Sequence, residues 1–203
     1  MTRAAILHEP RSCPFAGRAT QRSDGGPPSR EVGLPALLLQ RVTRSWHPVQ
    51  VKIPVYFSGS ISGGRIDAAY YGELISALKA AGHTVYAEHV GDPTLSGSGE
   101  KRTAGEIFDR DLLWIREVAE AGGALVAEVS SPSTGVGYEI ATARFLHGMP
   151  VICLFRPAHL ARCSAMIAGD TGIILLESRV DEPVDIVSSR LLAALEAVAN
   201  KSS

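Results

Sequence analysis

From Lys52 onward, short apolar runs alternate with longer amphipathic stretches, and this alternation constrains the fold more than any other feature. The apolar runs are Ile53–Ser58, Thr84–Glu88, Ala124–Val129, Val151–Phe155 and Ile173–Leu176. Each is too short for a helix and long enough for a buried strand. Between them lie helical patterns. Tyr71, Leu74, Ile75 and Leu78 share one face of the first, and Gly82 stops it. The second runs from about Ala104 to Ala121, with Ile107, Phe108, Ile115 and Val118 on its apolar face, and ends at Gly122-Gly123. Gly148 ends the third. Arg156 to Gly169 reads as an irregular loop with a short helix. Pro183 opens the last helix, whose stripe is Val187, Leu191, Leu195 and Val198. Strand–helix alternation of this kind requires a parallel sheet covered on both faces and built from right-handed crossovers. The expected fold is α/β, a flavodoxin/Rossmann-like three-layer structure with a five-stranded parallel sheet of order 2-1-3-4-5. Ligands of such sheets sit beyond the carboxyl ends of the strands, near the switch between the first and third. Those two runs are the ones that end in Ser/Gly loops.

The first fifty residues do not share the pattern. Residues 1–51 contain seven arginines, no lysine and three acids, a net charge of +4, against −5 for the remainder. Asp24-Gly25-Gly26-Pro27-Pro28-Ser29-Arg30 resembles a linker, and no amphipathic period persists. We expect 1–51 to be a poorly ordered extension and 52–203 to be the catalytic domain. An organelle-targeting segment or a mis-assigned start accounts for the same composition, and both are weaker readings. With a net charge of −1 over 203 residues, neither nucleic acid nor an anionic membrane is an expected partner. No apolar run approaches the roughly 20 residues of a membrane span. Cys13, Cys153 and Cys163 have no metal or redox spacing. They fit a reducing compartment, so the expected location is cytoplasmic, or nuclear in a eukaryote.

The chemistry concentrates in Ala127-Glu128-Val129-Ser130-Ser131-Pro132-Ser133-Thr134-Gly135-Val136-Gly137-Tyr138-Glu139. A strand, a small-residue loop and a helix start make an anion site, because the first helical N–H groups are unpaired and the dipole is positive there. Glu139 is the anomaly, since a phosphate site gains nothing from a second negative charge without a task. Two readings stand. In one the loop holds a nucleotide phosphate and Glu139 attacks the sugar. In the other this is an ordinary strand–helix turn with an acid that complements the dipole. Asp111 lies four residues after Ile107 and four before Ile115, so it points inward and needs a partner. It is either a second carboxylate facing Glu139 or a structural acid paired with an arginine. Tyr56, two residues before the first loop, is a core residue or a hydroxyl aimed at Glu139. Ser60, Ser62, Gly63 and Gly64 offer hydroxyls and a flexible backbone. His89 stands at the end of the second strand, either against a ligand or exposed. The lack of Gly-x-Gly-x-x-Gly after the first strand disfavours a dinucleotide oxidoreductase, and the lack of Gly-x-x-x-x-Gly-Lys-Ser/Thr disfavours a P-loop.

Six blocks in order carry a resemblance. They are Tyr56 to Arg65, Ala87 to Val90, Asp111-Leu112-Leu113-Trp114, the central loop through Glu139, Cys153-Leu154-Phe155-Arg156-Pro157, and Ser164-Ala165-Met166-Ile167. The series, spanning about residues 53–180, resembles the 2'-deoxynucleoside 5'-monophosphate N-glycosidases, the Rcl group of the nucleoside 2-deoxyribosyltransferase superfamily. The resemblance implies hydrolysis of the bond between base and deoxyribose by a homodimer that needs no cofactor or metal. It implies Glu139 as nucleophile, Asp111 as second catalytic acid and Tyr56 beside the reacting sugar. Gly59, Ser60, Ile61, Ser62, Gly63, Gly64, Arg65, His89, Ser133, Gly135, Ala165 and Met166 match positions around the nucleotide. Ser164 matches a serine that reaches the phosphate of the neighbouring subunit. One departure is Ser62, where the family commonly has arginine; this removes a charge-assisted phosphate contact. The rival readings are a deoxyribosyltransferase acting on nucleosides and a non-catalytic nucleotide sensor. A ribonucleotide phosphoribohydrolase of the cytokinin-activating type expects a Pro-Gly-Gly-x-Gly-Thr run, which this chain lacks.

Overall fold

The computed structural model describes residues 52–60, 67–87, 102–157 and 162–201. Five parallel strands form one sheet in the order β2-β1-β3-β4-β5, as expected. They are β1 (Val55–Ser58), β2 (Val85–Ala87), β3 (Ala124–Glu128), β4 (Val151–Phe155) and β5 (Ile173–Glu177). The helices are α1 (Ala68–Ala80), α2 (Ala104–Glu120), α3 (Thr134–Ala141), α4 (Ala165–Ala168) and α5 (Val184–Lys201). The strand ends differ from the sequence expectation by one or two residues, because hydrophobicity marks the buried run and not the last ladder bond. The expected division at residue 51 lies outside the described residues.

The two-residue period of the strands divides the core into two layers. Val55, Phe57, Ala124, Val126, Ile152 and Leu154 point to one face, where Tyr71, Leu74 and Leu78 of α1 and Val187, Leu191 and Leu195 of α5 cover them. Tyr56, Leu125, Ala127, Val151 and Cys153 point to the other, against Ile115 and Val118 of α2 and Val136 and Ile140 of α3. Cys153 is a buried small hydrophobe, and burial pushes its thiol up to about 12. One helical expectation needs correction. Phe108 does not belong to the buried stripe of α2. It is 49% exposed, with its ring centroid 6.2 Å from that of Tyr138. Ile115 and Val118 are the buried apolar residues of that helix, beside the buried Asp111, with Trp114 and Ala119 packed partly buried against the same core.

Helix ends position the site. Thr103 and Glu106 close a capping box at the start of α2, with the Thr103 N–H donating to Glu106 Oε2 at 2.8 Å and the Glu106 N–H to Thr103 Oγ1 at 3.2 Å. At its other end, a Cβ on Gly123 would meet the backbone oxygens of Pro54 and Val118, so only glycine lets the chain turn this tightly into β3. The third helix does not run regularly to Gly148. It passes at Thr142–Leu146 into a π-turn. Such widened turns are frequent beside functional sites.

Candidate active site

Glu139 stands in the second turn of α3, whose entry is held by Ser133. The Ser133 hydroxyl accepts from the Val136 N–H at 3.4 Å. The carboxylate turns back over the ends of the strands. Tyr56 Oη donates to Glu139 Oε1 at 3.0 Å, and Ser58 Oγ donates to Glu139 Oε2 in a short hydrogen bond. Tyr56 and Ser58 are two residues apart on β1, so the pleat turns both toward the α2/α3 face. Both are buried. Each carboxylate oxygen thus has one hydroxyl donor. Burial dominates all the same and pushes the Glu139 carboxyl up to about 7. The two hydroxyls and the Arg110 guanidinium oppose the shift, and the Asp111 charge adds to it.

Asp111 is buried on α2. Arg110 Nε donates to Asp111 Oδ1 at 2.9 Å. Asp111 thus pairs with an arginine, as one of its two readings expects, and its charge also raises the Glu139 carboxyl. Arg110 also stacks over Trp114 at 4.9 Å, and Trp114 meets Tyr86 of β2 edge-on at 6.0 Å. The Arg110 guanidinium is thereby held beside Asp111 and the Trp114 ring.

The loop side is more open. Gly59 and Ser60 are buried at the end of β1. A Cβ on Gly137 would touch nothing within 4 Å, and one on Gly135 only the Ser133 hydroxyl at 3.8 Å. The helix start therefore has room above it for a ligand. A cavity of about 550 Å³ borders Ser133 and Thr134 on one side and Ser164, Met166 and Ile167 on the other. Tyr56, Asp111 and Glu139 do not line it. The carboxylate cluster and this cavity share α3 and lie on different sides of it. Ala165 and Met166 open the four-residue α4, and Met166 is 84% exposed. Ile61, Ser62, Gly63, Gly64, Arg65 and His89 lie outside the described residues. Among the described residues no group of three or more His, Cys, Asp or Glu gathers as a metal site.

Two neighbours of Glu139 have no counterpart in the sequence reading. Ser58 was readable as Tyr56 plus two on the same strand. Arg110 was not, because a helical arginine beside an aspartate ordinarily points to solvent.

Comparison with known proteins finds relatives of this chain. Over 121 residues the chain is 46% identical to a 5-hydroxymethyl-dUMP N-hydrolase of Mus musculus; the match covers 59% of this chain and spans 66% of the relative's length. It is 44% identical over 122 residues to the protein of that name from Rattus norvegicus, covering 59% of this chain and 71% of the relative. A candidate 2'-deoxynucleoside 5'-phosphate N-hydrolase 1 of Methanosarcina mazei is 40% identical over 126 residues, covering 62% of this chain and 74% of the relative. No family model matches.

Proposed function

The chain belongs to the family of the 2'-deoxynucleoside 5'-phosphate N-hydrolases, and on that premise we propose that it hydrolyses the N-glycosidic bond of 2'-deoxynucleoside 5'-monophosphates, with Glu139 as nucleophile. The observation that carries the reading is the Tyr56–Glu139–Ser58 cluster at the carboxyl end of the sheet. A structural acid in so dry a place needs a cation bonded to it. Glu139 has hydroxyls, and a carboxyl titrating at about 7 is available as an anion at neutral pH.

In the proposed reaction, a Glu139 oxygen forms a bond to C1' while the bond from C1' to the base nitrogen breaks. The base leaves with that electron pair and takes a proton that Asp111 has first taken up from solvent. Positive charge on the sugar ring grows as the bond breaks, and the carboxylate below the ring offsets it. Water then attacks C1' and gives its proton to Asp111. The ester bond to Glu139 breaks, releasing 2-deoxyribose 5-phosphate. Tyr56 and Ser58 hold the carboxylate so that one lone pair faces the sugar. The Tyr56 phenol also occupies space where a 2'-hydroxyl would stand, which supports the choice of deoxyribose over ribose. Gly59, Ser60, Ser133 and Gly135, with Ile61 to Arg65 and His89, surround the nucleotide in this reading.

We further propose a homodimer in which Ser164, with Ala165 and Met166, reaches the neighbouring subunit's phosphate. Exposed Phe108, Tyr138, Phe145 and Met166, large apolar residues of α2, α3, the π-turn and α4, support such an interface. Residues 52–203 are the catalytic domain, with 1–51 an extension. Cys153 and Cys163 are both free thiols, which supports a cytoplasmic location. Among the described residues no helix is long and apolar enough to cross a membrane.

The direct test is incubation with a panel of deoxy- and ribonucleoside monophosphates and the matching nucleosides, reading free base. Release is expected from the deoxy monophosphates, at least about tenfold faster than from the nucleosides, since one lost charge-assisted phosphate contact is worth roughly 1.5–3 kcal/mol. Equal rates on monophosphate and nucleoside, with sugar transfer to an added base, overturn the reading in favour of a transferase.

A further inference from the structure

Glu128 ends β3 with its side chain on the α1/α5 face, opposite to Glu139, and it is 0% exposed. The donors around it come from three segments. Its Oε2 accepts from Tyr71 Oη at 3.2 Å and from the Ser130 N–H at 3.3 Å. Its Oε1 accepts from the Ser130 hydroxyl and from Arg156 Nε at 3.4 Å. Arg156 is the first residue beyond β4. Its Nη2 donates to Asp67 Oδ1 at 2.8 Å, and its guanidinium lies 3.7 Å over the ring of Tyr70. The Arg156 N–H donates to the Ser130 hydroxyl at 2.8 Å, which ties the exits of β3 and β4 directly. One guanidinium thus joins three backbone segments. They are the start of α1, the beginning of the loop that leads to α3, and the exit of β4.

Asp67 shows where this arrangement takes precedence over local stability. It occupies the N-cap of α1, where an aspartate normally accepts from the first free N–H groups of the helix. Its side chain makes no such bond and turns to Arg156 instead. Nor does the ion pair explain itself by stability. Buried pairs of this kind lose in desolvation most of what they gain in attraction, and apolar residues of equal volume often hold a fold as well. What an apolar set cannot supply is a fixed distance and angle between segments, because dispersion contacts are not directional and a guanidinium fork between two carboxylates is.

We propose that Arg156 is a positioning residue for nucleotide binding. By holding Asp67 through Nη2 and Glu128 through Nε, it sets the separation of the entry to α1 at Asp67, which the chain reaches after leaving β1 through Gly59-Ser60, from the connection that runs from Val129 to Ser133. Ser60 after β1 and Ser133 before α3 are the described hydroxyls assigned to the nucleotide. The identity of the ligand rests on the proposed function, whereas the coupling of the two segments rests on the hydrogen bonds alone.

The test uses the full chain with Arg156→Lys and Asp67→Asn. Lysine keeps the charge and reaches one carboxylate but not both in a fork; asparagine keeps the shape at Asp67 and removes its charge. For Arg156→Lys the KM for 5-hydroxymethyl-dUMP is expected to rise about tenfold, the equivalent of one misplaced charge-assisted hydrogen bond, with kcat within about threefold of wild type. Asp67→Asn is expected to move KM in the same direction by less. A role limited to stability gives the opposite split: a lower melting temperature, a smaller active fraction and an unchanged KM. That result, or an unchanged KM in both variants at wild-type melting temperature, overturns the proposal. Titration calorimetry with dUMP and with inorganic phosphate separates this from the reaction assignment. A wild-type chain that binds dUMP but releases no base defeats the assignment, and weaker binding by both variants still supports positioning. A wild-type chain that binds neither probe overturns the positioning role as well.

Discussion

Two glutamates eleven residues apart occupy opposite faces of the same sheet, and their surroundings differ in one respect. Glu128 has Arg156 bonded to it, with Ser130 and Tyr71 completing its shell. Among the described residues Glu139 has only hydroxyls bonded to it, from Tyr56 and Ser58, while Arg110 is bonded to Asp111. Burial pushes both carboxyls upward, and only at Glu128 does a directly bonded guanidinium stand against it. At Glu128 the bonded cation commits the carboxylate to structure, because moving it would strand two charges. A buried carboxylate held by hydroxyls keeps a lone pair to offer and a proton affinity near neutrality. The residue type does not separate a framework acid from a reactive one. Between these two glutamates, what differs is the charge of the bonded partner.

The largest expected effect sharpens that contrast. Glu139→Gln keeps the shape of the side chain and removes the attacking oxygen's charge, and kcat should fall by roughly two to four orders of magnitude, on the scale of losing a positioned catalytic group. Binding of dUMP, read by calorimetry, should stay within a few-fold of wild type. Glu128→Gln should do the reverse. It leaves a guanidinium buried with Asp67 as its only carboxylate, and chemical denaturation should show a loss of about 3 kcal/mol, the scale of breaking one side of a buried pair. The kcat per folded molecule should stay within a few-fold. If Glu128→Gln abolishes turnover in a folded protein as completely as Glu139→Gln, the contrast is broken.

A smaller effect lies in the pH dependence. With Glu139 needed as an anion, kcat/KM should climb through an acid limb near its value of about 7. Arg110 lowers that value and Asp111 raises it, so Arg110→Gln should move the limb upward, by up to about one unit for a partly screened charge. A limb that stays in place, or shifts downward, removes Arg110 from the electrostatics of the site. Stability carries the same signature with a definite sign. The folded value lies above the ordinary 4.5, so the native state binds the extra proton between about 4.5 and about 7. Stability therefore declines as pH rises through that window and is lowest above it. Glu139→Gln should flatten that slope in melting curves taken from pH 5 to pH 8.

The smallest expected effect concerns the extension. Deleting residues 1–50 should leave the melting temperature, and the difference between Glu139→Gln and Glu128→Gln, unchanged, because both acids and all their partners lie in the β/α units beyond it. Loss of soluble protein on truncation would assign that segment to the core.

Local periodicity determined the fold. A strand of period two and a helix of period 3.6 are set by neighbours in the chain, so five strands, their order and the two covering layers were readable from residues 53 to 198 without contacts. Several site positions were readable for the same reason. Tyr56 at a strand end, Asp111 on an apolar helix face and Glu139 just inside a helix after a Ser/Gly loop are local anomalies. Their meeting was not local. Tyr56 and Glu139 are 83 residues apart, and only the parallel pairing of β1 with β3 brings the strand end under α3. Ser58 gained its role by that same pairing. The partners of Glu128 were still less legible. Arg156 lies 28 residues away at the start of a run that reads as an irregular loop, and nothing in the sequence pattern singles out Asp67. Charge pairing across a sheet depends on which side of the pleat each residue takes and on what the neighbouring strand presents there. The sequence alone determined that this chain has acids to place inside; the tertiary structure decided which acid received a cation and which was left to the hydroxyls.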